Sequence, residues 1–143
     1  MATFLLDTTT ITHLRNGHVQ VVANYLLHSA SHSGHTVAVA AVNVEEVLAG
    51  RLNYLSRARI PADEVAGSRH LTRDVLLLAS FPLIAVTDAA VHRYDTLRRM
   101  KRNVGRNDLR LAALALELDA IVVTDNVRDF GRVPGLLWVD WTK

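Results

Sequence analysis

The chain has 143 residues, half of them hydrophobic, 21% charged and 6% aromatic, with a formal net charge of +2. A chain of this size buries about two-thirds of the surface that its unfolded form exposes, which predicts one domain over residues 1–143 and excludes disorder. It contains no cysteine, which excludes a disulfide framework, a thiolate zinc site and a cysteine nucleophile.

The first half of the chain alternates short β-branched runs with longer helical patterns. In chain order, the pattern predicts a strand, two helices and a second strand over residues 3–6, 8–15, 19–28 and 36–42. Asp7 ends the first strand, and Gly34 stops the second helix. The second strand is apolar throughout, as is typical of a parallel strand covered on both faces. Asn43 is predicted to be the N-cap of the helix that follows.

The second half continues this alternation. The predicted elements are a helix, a strand, two helices and two strands over residues 61–79, 81–86, 89–101, 109–118, 120–124 and 136–141. Pro61 suits the first position of its helix, Thr87 or Asp88 caps the next one, and Gly105 ends it. Strands that alternate with helices predict an α/β fold with a layered, mostly parallel sheet of about five strands.

No targeting or membrane segment is predicted. The N-terminal stretch lacks the basic region and the long apolar run of a signal peptide. Residues 16–44 carry no Asp, Glu, Lys or Arg, but Asn24, Gly34 and several histidines interrupt them. Together with the absence of cysteine, this indicates a cytoplasmic protein that does not cross a membrane.

Basic residues are concentrated in one short segment. Arginine, the side chain suited to bidentate phosphate contact, far outnumbers lysine in this chain. Within the segment, the candidate residues for binding a nucleic acid are Arg98, Arg99, Arg102 and Arg106. A positive patch beside the isolated carboxylate of Asp108 indicates a polyanionic substrate, although a solvated helix face would have the same composition.

Acidic residues recur where predicted strands end and where the facing helices begin. They are Asp7, Glu45, Glu46, Asp108, Asp125 and Asp129. Each taken singly could be a helix cap or a turn residue. In a parallel sheet, however, functional groups gather at the carboxyl ends of the strands. Two carboxylates about 5 Å apart repel by about 3 kcal/mol at an effective dielectric near 20, so such a cluster predicts a bound cation.

Carboxylates without thiolates favour a hard divalent ion, Mg²⁺ or Mn²⁺. Such an ion lowers the pKa of a bound water and neutralises the charge that develops on a phosphodiester under attack. The sequence therefore predicts hydrolysis of a nucleic acid backbone.

Other sites and functions fit less well. His28, His32 and His35 invite a zinc hypothesis, but no adjacent glutamate completes a metalloprotease motif. A receiver-type phosphoacceptor domain requires a lysine after a late strand, whereas Lys101 lies in a predicted helix and Lys143 is the last residue of the chain. The principal alternative is a module of the same fold that binds RNA or protein without cleaving it. Carboxylates near phosphates oppose such binding unless a cation is present.

Four segments resemble the motifs, in order, of the PIN-domain ribonucleases, and most closely those of the VapC toxins of prokaryotic toxin–antitoxin pairs. They are FLLDTTTI, VNVEEVLAG, GRNDLRLAALALE and VVTDNVRDFGRVPGLLWVDW. The resemblance covers almost the whole chain, and the last two motifs are the most specific. It implies a three-layer sandwich with a central, mostly parallel sheet flanked by helices.

The resemblance also assigns catalytic, metal-binding positions. The implied residues are Asp7, Glu46, Asp108 and Asp129. The fourth position is open, because Asn126 or Asp125 could occupy it instead of Asp129. Glu45 is the alternative to Glu46.

The implied neighbours of the metal include residues that orient the ligands. Thr8 and Thr124 match hydroxyl positions of the family. Thr9 stands where many members have asparagine, and Asn43 where serine or threonine commonly precedes the glutamate. Both can hydrogen-bond a carboxylate, so we expect altered tuning of the site with activity retained.

The resemblance implies Mg²⁺-dependent endonucleolytic cleavage of RNA. It further implies two partners, a VapB-like antitoxin whose C-terminal segment occupies the active-site groove and a second copy of the same chain in a homodimer. Apolar surface on the helices around residues 25–27, 52–55 and 75–78 exceeds what one small sheet needs, which is consistent with such interfaces.

Overall fold

A computed structural model describes residues 1–143 and contains one five-stranded sheet. Its strands are β1 (Thr3–Leu6), β2 (Thr36–Ala40), β3 (Leu83–Ile84), β4 (Ile121–Val123) and β5 (Leu137–Val139). Every neighbouring pair is parallel, and the order across the sheet is β3-β2-β1-β4-β5. The chain builds outward from β1 to one edge and then to the other. The carboxyl ends of β1 and β4 therefore meet where the winding reverses, the usual place for a site in such sheets.

Seven α-helices connect and cover the strands. They are α1 (Thr8–Arg15), α2 (Val19–Ser29), α3 (Ala41–Ser56), α4 (Pro61–Ala79), α5 (Asp88–Arg99), α6 (Arg106–Leu118) and α7 (Val127–Phe130). The predicted starts of α4 and α5 are confirmed: Pro61 is in the first turn, and Thr87 Oγ1 accepts a hydrogen bond from Ala90 N at 3.1 Å. None of these helices is both long and apolar enough to cross a membrane.

The sheet is covered on both faces, because successive side chains along a strand point to opposite sides. Leu5 of β1 belongs to a core with α5 and α6, whereas Phe4 and Leu6 belong to a second core with α1, α2 and α4. The buried residues of the central strands are accordingly all apolar. The predicted α/β three-layer sandwich with a parallel five-stranded sheet is confirmed.

The strand predicted over residues 81–86 is shorter in the structure. Only Leu83 and Ile84 pair with β2, and β3 is the edge of the sheet with a single neighbour. Pro82 has no N–H to donate and contributes only its carbonyl, which accepts from Val39 N at 3.0 Å. Pairing on one side and a proline at its start limit this strand to two residues.

The prediction that Asn43 caps α3 is wrong. The strand β2 ends at Ala40, which is the extended N-cap residue, and Asn43 lies inside the first turn of α3. Its side chain is 2% exposed and its Nδ2 donates to Thr8 Oγ1 at 3.0 Å. A contact with another helix, which local sequence patterns do not encode, has replaced the capping role.

The segment between α5 and α6 also differs from expectation. Helix α5 ends at Arg99, and Lys101 and Asn103 then take left-handed backbone conformations with φ of 52° and 59°. Gly105 does not end α5 but is the N-cap residue of α6. Helix α6 thus begins at Arg106, one turn before the predicted start, and Asp108 lies in its first turn.

The short helix α7 was not predicted. It follows β4 and carries Asp129 on the turn before Phe130, whose side chain is completely buried. A helix of four residues is too short to produce a detectable hydrophobic period in the sequence. In the structure, this turn is anchored by the buried side chain of Phe130.

We expect Phe130→Ala to lower the free energy of unfolding by about 3–5 kcal/mol, because it leaves a cavity where an aromatic ring is fully buried. Val127→Ala, on the same turn but exposed, is the matched control and should change stability by less than about 0.5 kcal/mol. Urea denaturation measures both. Equal losses would show that Phe130 does not anchor α7.

Candidate active site

Asp7 is the centre of the hydrogen-bonded site at the carboxyl end of β1. It caps α1, with Oδ1 accepting from Thr10 N at 2.8 Å, and it also accepts from Thr9 Oγ1 at 2.8 Å and Thr124 Oγ1 at 2.5 Å. Its side chain is almost fully buried. Burial raises the pKa of Asp7, and the bonds from Thr124, Thr10 and Thr9 oppose that rise.

Glu46 approaches the same region from α3. Its Oε1 accepts a hydrogen bond from Thr8 Oγ1 at 2.9 Å, and Thr8 Oγ1 in turn accepts from Asn43 Nδ2 at 3.0 Å. The amide oxygen of Asn43 is buried without a hydrogen-bond partner. Glu45, by contrast, is exposed and accepts from Arg110 Nη1 at 3.0 Å, so its charge is directed to a different neighbour.

Asp108 and Asp129 are linked by one amide group. Asn126 Nδ2 lies 3.1 Å from Asp129 Oδ2 and 3.5 Å from Asp108 Oδ2. Arg132 Nη1 lies 3.6 Å from the other oxygen of Asp129. Asn126 is therefore a hydrogen-bond donor to two carboxylates, whereas Asp129 is the negatively charged residue of this segment.

Electrostatics places four of these acids in one group, which we call the acid cluster: Asp7, Glu46, Asp108 and Asp129. The pKa of Asp108 is raised to about 6, first by burial and then by the negative charges of Asp7, Glu46 and Asp129. Hydrogen bonds agree with this grouping, because Asn126 Nδ2 lies between Asp108 and Asp129, and Asn126 N donates at 2.9 Å to Thr124 Oγ1, which itself donates to Asp7. The cluster draws on residues from four separate segments of the chain.

Asp125 lies outside the acid cluster. Its Oδ2 is 2.8 Å from His13 Nε2, and its Oδ1 accepts from Thr9 Oγ1 at 2.9 Å. The hydrogen bond from His13 lowers the pKa of Asp125, with a smaller contribution from Thr9. Asp125 is exposed and stabilised as an anion at the rim, one hydroxyl away from Asp7.

The donor set suits a hard divalent cation of the Mg²⁺ type, because all four members of the acid cluster offer carboxylate oxygens. Glu46 Oε2 has no donor from the protein, and Asp108 accepts only the long bond from Asn126. No three acidic or histidine side chains converge as direct ligands of one ion. Mg²⁺ keeps several waters and takes one or two carboxylates directly, so this arrangement fits Mg²⁺ better than Zn²⁺.

The histidines near the end of α2 are engaged in packing. His28 stacks on Trp141 with ring centroids 5.2 Å apart and planes inclined by 9°. His35 Nδ1 accepts a hydrogen bond from Ala2 N at 2.9 Å. These contacts agree with the preference for a structural role over a zinc site.

The predicted RNA-binding arginines fall into two groups. Arg98 and Arg99, on the last turn of α5, both pair with Asp95 on the preceding turn. Arg102, in the loop before α6, and Arg106, the first residue of α6, are exposed and have no acidic partner.

Sequence reasoning assigned no role to His13 or Arg132. His13 is 112 residues from Asp125 along the chain, and the two meet because β1 and β4 are neighbours in the sheet. Arg132 donates to Asn103 O at 3.0 Å and so connects the α5–α6 loop with α7. The available signal for Arg132 was its spacing of three residues from Asp129.

The model of the PIN domain family matches residues 4–136. The chain belongs to the PIN domain family. Ribonuclease VapC1 of Haemophilus influenzae strain R2866 is 47% identical over 49 residues, which make up 34% of this chain and 37% of that protein. The matched segment therefore spans little more than a third of this relative.

Solved structures of similar proteins extend over nearly the whole chain. VapBC2 of Rickettsia felis bound to a promoter DNA fragment has a TM-score of 0.79 at 22% identity, over 97% of this chain and 98% of that chain. VapBC-1 of nontypeable Haemophilus influenzae has a TM-score of 0.77 at 23% identity, over 99% of each chain. These likenesses show that this PIN domain has the fold found in those complexes.

In metal-free protein, we expect the contribution of Asp108 to make unfolding easier as the pH rises from about 4 to about 6. The raised pKa means that, in this range, folded Asp108 retains a proton that the unfolded chain has released, so stability present at low pH is lost as the pH rises. Asp108→Asn should flatten this dependence.

Urea denaturation in EDTA across this pH range measures the effect. Asp119→Asn, at the exposed C-cap of the same helix, is the matched control and should leave the slope unchanged. If Asp108→Asn kept the wild-type pH dependence, the proton that causes this dependence would not be the one on Asp108.

Proposed function

We propose that this PIN domain is a divalent-metal-dependent endoribonuclease and the toxin component of a toxin–antitoxin pair. The observation that carries the proposal is the acid cluster itself, in which threonine and asparagine side chains hold acids from four separate segments at the carboxyl end of the sheet. Without a cation, this arrangement opposes both folding and the approach of a phosphate. The ribonuclease named among the relatives supports RNA as the substrate.

Asp7, Glu46, Asp108 and Asp129 would hold the metal, with Mg²⁺ favoured and Mn²⁺ as its substitute. When bound, the metal supplies a water of lowered pKa and neutralises charge on the phosphodiester. The protein's own part is orientation. Thr124 and Thr9 hold Asp7, Thr8 holds Glu46, and Asn126 holds Asp108 and Asp129.

These donors leave each carboxylate with lone pairs facing away from its hydrogen bond. A carboxylate oxygen accepts more than one contact, so a threonine hydroxyl and a cation can share it. The two departures from the family pattern fit this role, because Thr9 donates to Asp7 directly and Asn43 acts on Glu46 through Thr8. We expect such contacts to set metal affinity.

The alternative is a catalytically weak or inactive PIN domain that acts by binding RNA or protein. Such a module gains nothing from four adjacent carboxylates, since a polyanion is repelled by them. Neutralising an acid would then strengthen RNA binding and change no cleavage. This opposite outcome makes the two functions distinguishable in one set of variants.

We further propose that Arg102 and Arg106 guide RNA to the acid cluster, because both are exposed, have no acidic partner and precede Asp108 closely in the chain. Arg98 and Arg99 belong to the same basic segment, but Asp95 offsets part of their charge. They would contribute to the field around the site more than to individual phosphate contacts.

The proposed protein partners are a VapB-like antitoxin and a second copy of the chain. The similar solved structures are VapBC complexes, which supports the first partner. Exposed apolar side chains support interfaces of both kinds. On α2, α3 and α4 they include Leu26, Leu27, Leu52, Val75 and Leu76.

We expect Asp7→Asn and Asp108→Asn each to reduce RNA cleavage by at least about 100-fold, as for loss of an essential group in a catalytic constellation. Asparagine still caps α1 at position 7, so the fold should survive. Glu45→Gln is the matched control and should cleave like the wild type, because Glu45 pairs with Arg110 outside the acid cluster.

The measurement is cleavage of defined oligoribonucleotides by purified protein, with EDTA treatment followed by Mg²⁺ or Mn²⁺. Cleavage should stop in EDTA and return with either ion. Activity that survives in Asp7→Asn and Asp108→Asn would come from another source and would end the nuclease assignment.

For the arginines, we expect Arg102→Gln and Arg106→Gln to weaken RNA binding across sequences. Each lost phosphate contact should reduce the slope of log affinity against log salt by about 0.7 for single strands. Arg98→Gln should have a smaller effect because Asp95 already pairs with it. Fluorescence anisotropy over a salt series tests this, and an unchanged slope would assign Arg102 and Arg106 to a solvated surface.

A further inference from the structure

Asp74 of α4 is a buried carboxylate held between arginines of two other helices. Its side chain is 1% exposed, and its Oδ2 accepts from Arg51 Nε of α3 at 2.5 Å and from Arg15 Nη1 of α1 at 3.3 Å. Arg15 Nη1 also lies 3.4 Å from Oδ1. These two guanidinium groups are thus fixed by one deeply placed anion.

This group carries one more positive than negative charge. Arg51 uses only Nε toward Asp74, so both of its terminal nitrogens remain without a protein acceptor. Arg15 likewise keeps Nη2 free. Both side chains are partly exposed, at 18% for Arg15 and 21% for Arg51. Free guanidinium donors on a fixed stem are suited to bind a phosphate oxygen.

The two arginines line a groove of about 310 Å³ that reaches the acid cluster. Besides Arg15 and Arg51, its walls include Thr8, Thr12, Glu46 and Tyr54. Thr8 and Glu46 belong to both the groove and the active site, where they share a hydrogen bond of 2.9 Å. Tyr54, which is 43% exposed, adds an aromatic side chain to the lining of the groove.

We infer that this groove is a nucleotide subsite that binds the phosphate next to the scissile one, with Arg15 and Arg51 contacting the phosphate. Asp74 is a positioning residue that orients both guanidinium groups, and Tyr54 offers its ring to a base. The inference rests on the proposed function, because the strand enters the groove from the acid cluster. An RNA strand provides both a phosphate and a stacking base, which an acidic peptide does not.

Arg51→Gln tests the subsite in two assays. In the Asp108→Asn background, where RNA is bound without turnover, anisotropy over a salt series should show several-fold weaker binding and a slope reduced by about 0.7. In the otherwise wild-type protein, KM for a short oligoribonucleotide should rise while kcat changes little, since Arg51 acts away from the reacting atoms. Tyr54→Ala should weaken binding without altering the salt slope.

The matched control is Arg69→Gln, which removes the same charge from an exposed position on α4 that does not line the groove. It should leave the slope and KM unchanged. If Arg51→Gln folds poorly because Asp74 loses a partner, the double variant Arg51→Gln/Asp74→Asn removes both halves of the pair. It should lose at least as much slope, because Arg15 is then released from Asp74 as well.

A purely structural ion pair gives a different result. Arg51→Gln would then lower the thermal midpoint, while the salt slope and KM stayed at wild-type values. That result would overturn the inference. The groove would then bind a protein carboxylate, or its arginines would serve only to stabilise the fold. Failure of the proposed function is a separate result, in which wild-type protein does not cleave RNA. The binding titration would still show whether Arg51 contacts RNA in the groove.

Discussion

Repulsion among four carboxylates at one end of a parallel sheet is the constraint on which the rest of this molecule depends. The sheet order brings the ends of β1 and β4 side by side, and α3 and α6 then direct Glu46 and Asp108 toward Asp7. The pKa of Asp108 is raised to about 6, first by burial and then by the negative charges of Asp7, Glu46 and Asp129. Such repulsion is retained in a fold when a cation or a substrate compensates for it.

The carboxylates are held apart and oriented by short polar side chains. Thr124, Thr9 and Thr8 donate to Asp7 or Glu46, and Asn126 donates to both Asp108 and Asp129. These donors lower the free energy of the charged forms without supplying a full positive charge. The acid cluster therefore remains electronegative and available to a metal, which an arginine or lysine inserted among the acids would prevent.

Positive charge surrounds this electronegative centre, and Arg132 contacts it at one point, 3.6 Å from Asp129 Oδ1. Arg102 and Arg106 lie beside the start of α6, and Arg15 and Arg51 lie along the groove that leads from Glu46. A polyanion would be attracted by these flanks and bound closely only where metal offsets the acids. In this proposal the acid cluster holds the metal that acts on the phosphodiester, and the surrounding arginines bind the rest of the RNA.

The order of strands and helices could be predicted from the sequence, because hydrophobic period, proline and capping residues act on near neighbours, as at Pro61 and Thr87. The membership of the acid cluster could be proposed from motif positions and from the carboxyl-end rule. The short β3, the interior position of Asn43 and helix α7 depend instead on contacts with other elements. The pairing of Asp125 with His13, the separation of Glu45 from Glu46 and the buried Asp74 between two arginines are likewise set by packing. Side chains from remote segments meet only after the sheet has formed, so no local pattern records which of them will share a hydrogen bond or a charge.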